Sequence, residues 1–304
     1  MISNKSRIRE FLNLEAHESH LAGFLIAPVI IAVFGILIMP LLFSLFVSFT
    51  DTRSVLPNSY HFVGLAEYIK AIKNEDFRFS LVITVIFVVV TNFCKLVFGT
   101  LVALALKERF KGRSIARSLI IIPWATPLIV TGIIWKWMFN NHVGVINFLL
   151  TKLGIVNHYI DILSNRYSAL PAIILTDMWQ GTPFFIILIL AGLQTIPDDL
   201  YEAAGIDGAT SIQKFFNVTL PLVRFPMFVA IILGSIFSIN QFDLAFIMTR
   251  GGPINYTRLL TLYDWTQAFK NLNIAYASAV SYLILLLSFA IAVIYIIFVQ
   301  KSEA

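Results

Sequence analysis

Six long apolar blocks, nearly free of charged residues, constrain this chain more than any other feature of it. They run from about 21 to 49, 80 to 106, 117 to 140, 167 to 193, 225 to 249 and 273 to 299. Each block is long enough to cross a hydrocarbon layer as a helix, which takes roughly 20 residues. The alternating pattern of a barrel strand is absent from them. We therefore predict an all-α bundle of six transmembrane helices over 21–304, preceded by a cytoplasmic segment over 1–20.

The composition and the placement of charge fit that prediction. Of 304 residues, 58% are hydrophobic and 13% are charged, whereas ordinary globular domains contain about 25% charged residues. The net charge of +5 indicates cytoplasmic loops rather than a nucleic-acid partner, because Lys and Arg collect on the cytoplasmic side of membrane proteins. Five basic residues fall close together: Lys107, Arg109, Lys111, Arg113 and Arg117. On this basis we place both termini in the cytoplasm.

The connection at about 194–224 is long for neighbouring helices, and such loops are usually functional or disordered. Its residues predict order. Pro197 suits a first helical turn, and the acidic residues that follow it suit the positive end of a helix dipole, so a short helix is predicted over about 197–207. From the residues alone, a structured surface loop and a docking element for another protein stay equally open.

A second short helix is predicted in the same loop. Thr210 or Ser211 can cap it, and Phe215 and Phe216 would give it an apolar side. Pro221 is expected to bend the entry to the fifth span.

This loop resembles the EAA loop of the permease subunits of binding-protein-dependent ABC importers. The resemblance rests on Glu202-Ala203-Ala204-Gly205-Ile206-Asp207-Gly208-Ala209, then Phe215, then Val218-Thr219-Leu220-Pro221-Leu222. Other segments are similar to the carbohydrate-type branch, which includes the maltose and glycerol-phosphate permeases: Phe62–Leu65 with Tyr68, Phe139-Asn140 with Gly144 and Asn147, and Thr249–Pro253 with Thr257. The chain lacks the large periplasmic insertion of the longer maltose permeases.

The resemblance implies an inner-membrane permease that moves a sugar or sugar-like solute inward by alternating access. The EAA loop would form a coupling helix on a separate ATPase subunit, through Glu202, Ala203, Ala204, Asp207, Gly208 and Ala209. The chain has no G-x-x-x-x-G-K-[ST] phosphate cradle, so ATP and Mg would be used by the partner ATPase. The implied assembly contains a second homologous permease, two ATP-binding subunits and an extracytoplasmic solute-binding protein. No catalytic residue or metal site is predicted in this chain.

Polar side chains inside the blocks are candidates for contact with the solute, because such groups are costly at membrane depth and normally face a cavity or a partner. The substrate-path candidates are Asn240, Gln241, Asp177, Gln180 and Asp243. Interhelical hydrogen bonding is an alternative for Asn240 and Gln241. Anchoring near the membrane surface is an alternative for Asp243 and for Lys136. Lys95 is a further charge in the second block.

Aromatic and proline residues give weaker indications. Trp179, Phe184, Phe237 and Phe242 could each present a flat face to a sugar ring, whereas Trp124, Trp135 and Trp137 are expected to anchor spans at the membrane interface. Pro123 and Pro127 predict a simple bend in the third span.

Three other classes of protein share this helical fold. A membrane-embedded enzyme would need a metal-ligand or nucleophile motif, which the scattered histidines and the single Cys94 do not supply. A secondary transporter also places polar residues in its spans, but it leaves the EAA-like loop unexplained. A membrane scaffold that transports nothing would differ only in the absence of solute uptake.

Overall fold

The computed structural model of the protein describes residues 25–53 and 60–303. The predicted cytoplasmic segment 1–20 lies outside these residues, as does the beginning of the first predicted span. The described chain is helical, with one isolated antiparallel bridge between Thr50 and Phe62 and no β-strand within those ranges. The predicted all-α class is confirmed.

Long apolar helices account for the predicted spans, and short helices occupy the loops between them. In the first half the helices are α1 Leu25–Ser48, α2 Ala66–Lys73, α3 Glu75–Lys107, α4 Arg113–Ala125, α5 Leu128–Met138 and α6 Val145–Lys152. In the second half they are α7 Ala169–Gln194, α8 Asp198–Ile206, α9 Ser211–Ile239, α10 Asp243–Met248, α11 Leu260–Trp265 and α12 Ile274–Glu303. Among the described residues five helices could each cross a membrane, and α4 with α5 makes a sixth span if the pair is counted as one.

The third span is broken rather than gently bent. Helices α4 and α5 meet at 95°, and the residues between them, Thr126 and Pro127, have extended backbone conformations. A proline pushes the residue before it out of the helical region, so Pro127 explains why α4 ends here. The Thr126 hydroxyl donates to the Ile122 carbonyl at 2.9 Å. Pro123 stays inside α4, so the predicted bend is present at Pro127 alone and is sharper than expected.

The fifth span is displaced from its predicted position of 225–249. Helix α9 begins in the loop, where the Thr210 side chain and Gln213 form a reciprocal capping box. It passes through a π-helical turn at Phe215–Thr219 and ends at Ile239. The second loop helix is therefore not separate but continuous with the span, and Pro221 lies in the first turn of regular helix after the π turn, where a missing N–H costs little.

Helices α3, α7 and α9 pack against one another at the centre of the bundle, with α5 and α10 beside them and α12 packed on α1 and α9. Lys107 at the end of α3, Gln194 at the end of α7 and Asp198 at the start of α8 share one cleft. We call this the α8 end. The opposite end, where α9 stops and α12 begins, is the far end.

Candidate functional site

A cavity of about 470 Å³ lies among α3, α4, α5, α7 and the end of α9. We call it the central cavity. All five substrate-path candidates line it, although they come from two separate segments of the sequence: Asp177 and Gln180, then Asn240, Gln241 and Asp243. Lys95 lines it as well. The structure thus brings the predicted residues together around a single space.

A buried ion pair forms the floor of this cavity. The Lys95 ammonium donates to Asp177 Oδ2 at 2.6 Å, and each of the two side chains is only 5% exposed. Gln241 Nε2 donates to Asp177 Oδ1 at 3.2 Å. Both carboxylate oxygens therefore have a partner, which a buried charge requires. Lys95 and Asp177 lie in separate apolar blocks of the sequence, and their opposite charges are the signal from which this pairing could have been predicted.

Gly181 leaves room for the lysine to cross from α3 to α7. A Cβ atom at Gly181 would lie 2.6 Å from Lys95 Nζ and 2.7 Å from its Cε. Gly181 follows Asp177 by four residues and so faces the same side of α7. The absence of a side chain there allows the ammonium to reach the carboxylate.

The break after α9 separates the roles of Asn240 and Gln241. We predicted both within a helix, but α9 ends just before them. Asn240 Nδ2 donates to the Ile236 carbonyl at 2.8 Å, which also accepts the Asn240 backbone N–H, and the Thr261 hydroxyl donates to the Gln241 carbonyl at 2.7 Å. These side-chain hydrogen bonds hold the backbone in place just after the helix end. Gln241 is 5% exposed and makes the interhelical bond, whereas Asn240 is exposed along the cavity.

Lys136 and Asp243, the two residues with surface anchoring as an alternative, have different surroundings. Lys136 Nζ donates to the Ile247 carbonyl at 3.1 Å, which ties α5 to α10. Asp243 stands in the first turn of α10 and lines the central cavity.

Aromatic rings form one wall of the central cavity. Phe184 meets Phe237 edge to face with ring centroids 5.7 Å apart, and Trp124 lies 6.1 Å from Phe184. Trp124 therefore lines the cavity beside the α4–α5 break rather than anchoring the span at an interface. Trp135 is also not an interfacial anchor, because it is 8% exposed and packs against Trp179, with the centroids 5.8 Å apart.

Two of the proposed aromatic faces lie outside the central cavity. Trp179 is occupied by its contact with Trp135. Phe242 stacks on Phe246 at 5.1 Å, on the other side of the α9 break. Trp137 is 73% exposed, as expected of a residue that faces lipid or the interface.

Helix α8 contains much of the EAA-like segment and lies on the surface at the α8 end. It spans Asp198–Ile206, close to the predicted 197–207. Glu202, Ala203 and Asp207 are exposed, and Ile206 is 87% exposed. Gly208 follows the helix with φ +76°, a left-handed conformation that glycine adopts without strain.

The inner face of α8 rests on the ends of two long helices. The Tyr201 hydroxyl lies 3.0 Å from the Thr219 hydroxyl, in the π turn of α9. The Lys107 ammonium, at the end of α3, lies 3.8 Å from the centre of the Tyr201 ring. Ala204 and Ala209 are half-buried, and the Ala209 N–H donates to the Ala204 carbonyl at 2.9 Å. Helix α8 is therefore fixed to the bundle on one side and open on the other.

Relatives of known name share this architecture over nearly the whole chain. The chain is 35% identical to the trehalose/maltose transport system permease protein MalF of Thermococcus litoralis, over 93% of this chain and 95% of that protein. It is 32% identical to the sulfoquinovosyl glycerol transport system permease protein SmoG of Agrobacterium fabrum, over 95% and 94% of the two chains.

A solved structure has the same fold. A chain of a bacterial ABC transporter involved in the import of the acidic polysaccharide alginate superimposes with a TM-score of 0.79, at 20% identity, over 96% of this chain and 98% of that one. The family model for the inner membrane component of binding-protein-dependent transport systems matches residues 95–303. The chain therefore belongs to this family of multi-pass inner-membrane permease subunits of ABC importers.

Proposed function

We propose that this chain is one of two pore-forming subunits of an importer that moves a saccharide into the cell by alternating access, driven by a separate ATPase. The names of the two relatives above refer to trehalose and maltose and to sulfoquinovosyl glycerol. Each of these compounds contains a sugar ring with several hydroxyl groups. The lining of the central cavity is suited to a sugar. It combines amide and carboxylate groups with the aromatic rings of Phe184 and Phe237.

One structural observation carries this proposal: α8 contacts the ends of helices whose other parts line the central cavity. Lys107 and Lys95 lie on the same helix, α3, and Thr219 is the last residue of the π turn of α9, whose regular part continues to Ile239 beside the cavity. A partner that pulled on α8 would act on both helices at once. Such coupling needs a contiguous element with two arrangements, and these helices supply the contiguous element.

The exposed side of α8 fits a protein partner. Ile206 is 87% exposed, and the neighbouring Ile212 and Phe216 are 71% and 58% exposed. They stand beside the exposed carboxylate of Glu202. An apolar patch with a charged rim at the end of a membrane protein is typical of a docking surface. We assign it to the ATPase, which would bind ATP and Mg; this chain would bind neither.

The charges around the central cavity favour an uncharged solute. Lys95 is neutralised by Asp177, and Asp243 adds a second carboxylate. One cation against two carboxylates leaves a net charge of −1 on the cavity wall of this subunit. A carboxylate or sulfonate on the solute would meet repulsion here, so we expect neutral oligosaccharides to be preferred.

The basic turn between α3 and α4 sets the orientation. Lys107, Arg109 and Arg113 line the cleft beside α8, and dense Lys and Arg mark the cytoplasmic side. The α8 end therefore faces the cytoplasm in this proposal, with both termini, and the far end faces the solute-binding protein. The transmembrane domain over 21–304 has its coupling loop at about 194–224.

Uptake of labelled maltose by proteoliposomes tests the proposal. The transporter is purified with its co-expressed partners and reconstituted with ATP inside and the solute-binding protein outside. Uptake that requires internal ATP and survives a protonophore supports the importer. Uptake that collapses with the proton gradient but not on ATP depletion would instead identify a secondary transporter.

A further inference from the structure

A second cavity of about 500 Å³ lies at the far end, between α11, the start of α12 and the α9 break. We call it the outer cavity. It shares Asn240 with the central cavity. Its polar lining includes Thr261, Asp264, Ser278 and Ser281. None of these residues was singled out from the sequence.

Asp264 has an unused hydrogen-bonding position at this cavity. Its Oδ2 accepts from the Ser281 hydroxyl at 2.6 Å. Its Oδ1 is buried and has no hydrogen-bond partner among the described residues. Burial raises the pKa of this carboxyl to about 7, against the opposing effect of the Ser281 hydrogen bond. A buried acceptor without a partner is costly, and the described residues supply no donor to this oxygen.

Aromatic rings stand next to that carboxylate. Trp265 and Phe269 lie with ring centroids 6.0 Å apart and tilted by 33°, and both line the outer cavity. Phe269 is 68% exposed. A carboxylate acceptor beside an open aromatic surface is the combination that suits a sugar, whose hydroxyls donate and whose ring presents C–H groups to an apolar face.

The outer cavity and the central one share one lining residue, which belongs to the α9 break. Asn240 borders both spaces, and its side-chain amide is held in place by the Ile236 carbonyl. The Thr261 hydroxyl, on the outer side, donates to the carbonyl of Gln241, whose amide holds Asp177 on the inner side. The two spaces are therefore neighbours on either side of Asn240.

We propose that the outer cavity is a second saccharide subsite, in which Asp264 accepts hydrogen bonds from solute hydroxyls and the exposed ring of Phe269, supported by Trp265, covers the face of an additional sugar unit. This inference rests on the proposed function and adds to it. The solute is then an uncharged oligosaccharide of two or more units, and its outer unit occupies the outer cavity.

Cysteine protection tests occupancy of the outer cavity without relying on transport. Cys94 is replaced by Ala, and Ala268, which lines the outer cavity, is replaced by Cys in the assembled transporter. A membrane-impermeant methanethiosulfonate is added from the side of the solute-binding protein, with glucose, maltose or maltotriose. With maltotriose at about ten times its Kd, we expect occupancy to slow the labelling of Ala268→Cys about tenfold, and glucose at the same concentration to slow it less. The exposed Asn271→Cys, outside the cavity, is the control and should label equally with every sugar.

The second arm measures transport kinetics in Asp264→Asn, which keeps the shape of the side chain. The KM for maltotriose should rise about tenfold, while that for glucose changes little, because one charge-assisted acceptor is lost. Asp51→Asn, at an exposed carboxylate that lines neither cavity, is the matched control.

The two proposals fail in different ways. Maltotriose uptake by the unmodified transporter, with unprotected Ala268→Cys and an unchanged KM in Asp264→Asn, would overturn the subsite and leave the importer standing. A cysteine at 268 that no reagent reaches in the assembled transporter would also overturn it, because another subunit then covers the cavity. Absence of saccharide uptake by the unmodified transporter would remove the proposed function and the subsite together.

Discussion

Lys95 and Asp177 lie 82 residues apart in sequence, yet their side chains meet at 2.6 Å inside the bundle. The pair connects α3 to α7, and Gln241 adds the end of α9 to the same cluster. Charges at membrane depth are costly unless they pair, so this cluster holds three helices in one register. Each of those helices contributes to the wall of the central cavity.

Neutralising one member of the pair should destabilise the protein more than neutralising both. Lys95→Met leaves the Asp177 carboxylate buried without a cation, and Asp177→Asn leaves the Lys95 ammonium buried without an anion. Removing one partner of a buried pair lowers the free energy of unfolding by about 3–5 kcal/mol. Lys95→Met combined with Asp177→Leu removes both charges and should recover most of that loss. Melting temperatures of the purified transporter measure the difference. A double variant less stable than either single variant would contradict this explanation.

Asn240 and Gln241 should respond differently to alanine. Asn240→Ala removes a cavity-facing amide whose one bond is to its own helix, so we expect uptake to fall at least about tenfold with assembly unchanged. Gln241→Ala removes the bond to Asp177, so we expect a lower melting temperature as well. Uptake and size-exclusion profiles of the reconstituted transporter separate the two results. Equal loss of assembly in both variants would assign Asn240 a structural role.

Ile206 should matter only for binding of the ATPase. It is 87% exposed, so Ile206→Asp leaves folding intact while placing a charge in the proposed interface. The matched control is Ile254→Asp, at an isoleucine that is 77% exposed between α10 and α11. The ATPase should be lost from complexes of the first variant and kept by the second. Retention in both would place the docking surface elsewhere.

Maltotriose transport should weaken as the pH falls through the pKa of Asp264. Burial raises that pKa to about 7, so the carboxylate that accepts hydroxyls is mostly ionised at pH 8 and mostly protonated at pH 6. The KM for maltotriose should therefore rise between pH 8 and pH 6. The rise should be roughly tenfold at most, because the ionised fraction of Asp264 falls about tenfold over that interval. Asp264 is the only titratable side chain among the described residues that line the outer cavity. Asp264→Asn should remove this dependence, and a variant that retained it would show that another group titrates.

The helices could be predicted well from the sequence, because the length of an apolar block depends only on residues that are adjacent in the chain. The class, the short helix at α8 and the Thr210 cap all follow from residues close together in the chain. The end of α9 was not predicted, because Asn240 and Gln241 sit between apolar residues that continue the hydrophobic pattern. The backbone after the helix end is held by a distant residue, because the Thr261 hydroxyl donates to the Gln241 carbonyl, and a local pattern cannot show such a contact.

The site was predicted as a set of residues but not as an arrangement. A polar residue in an apolar block indicates that its side chain faces a cavity or a partner. This rule selected the five candidate residues, but it does not predict which of them contact each other. Trp124 and Trp135 were assigned to the interface because their positions near block ends resemble an aromatic belt. Their actual places depend on the 95° break at Pro127, which turns the span inward. Asp264 lay in a predicted loop, where a carboxylate carries no signal.

Co-purification of the tagged chain from its own membrane in mild detergent, followed by mass spectrometry, tests the central claim most directly. We expect an ATP-binding subunit and a second permease with an EAA-type loop to accompany the chain, and we expect Glu202→Lys to release the ATPase while the two permeases stay together. A chain that came out alone or as a homo-oligomer, with no ATPase in either preparation, would contradict the coupling role of α8.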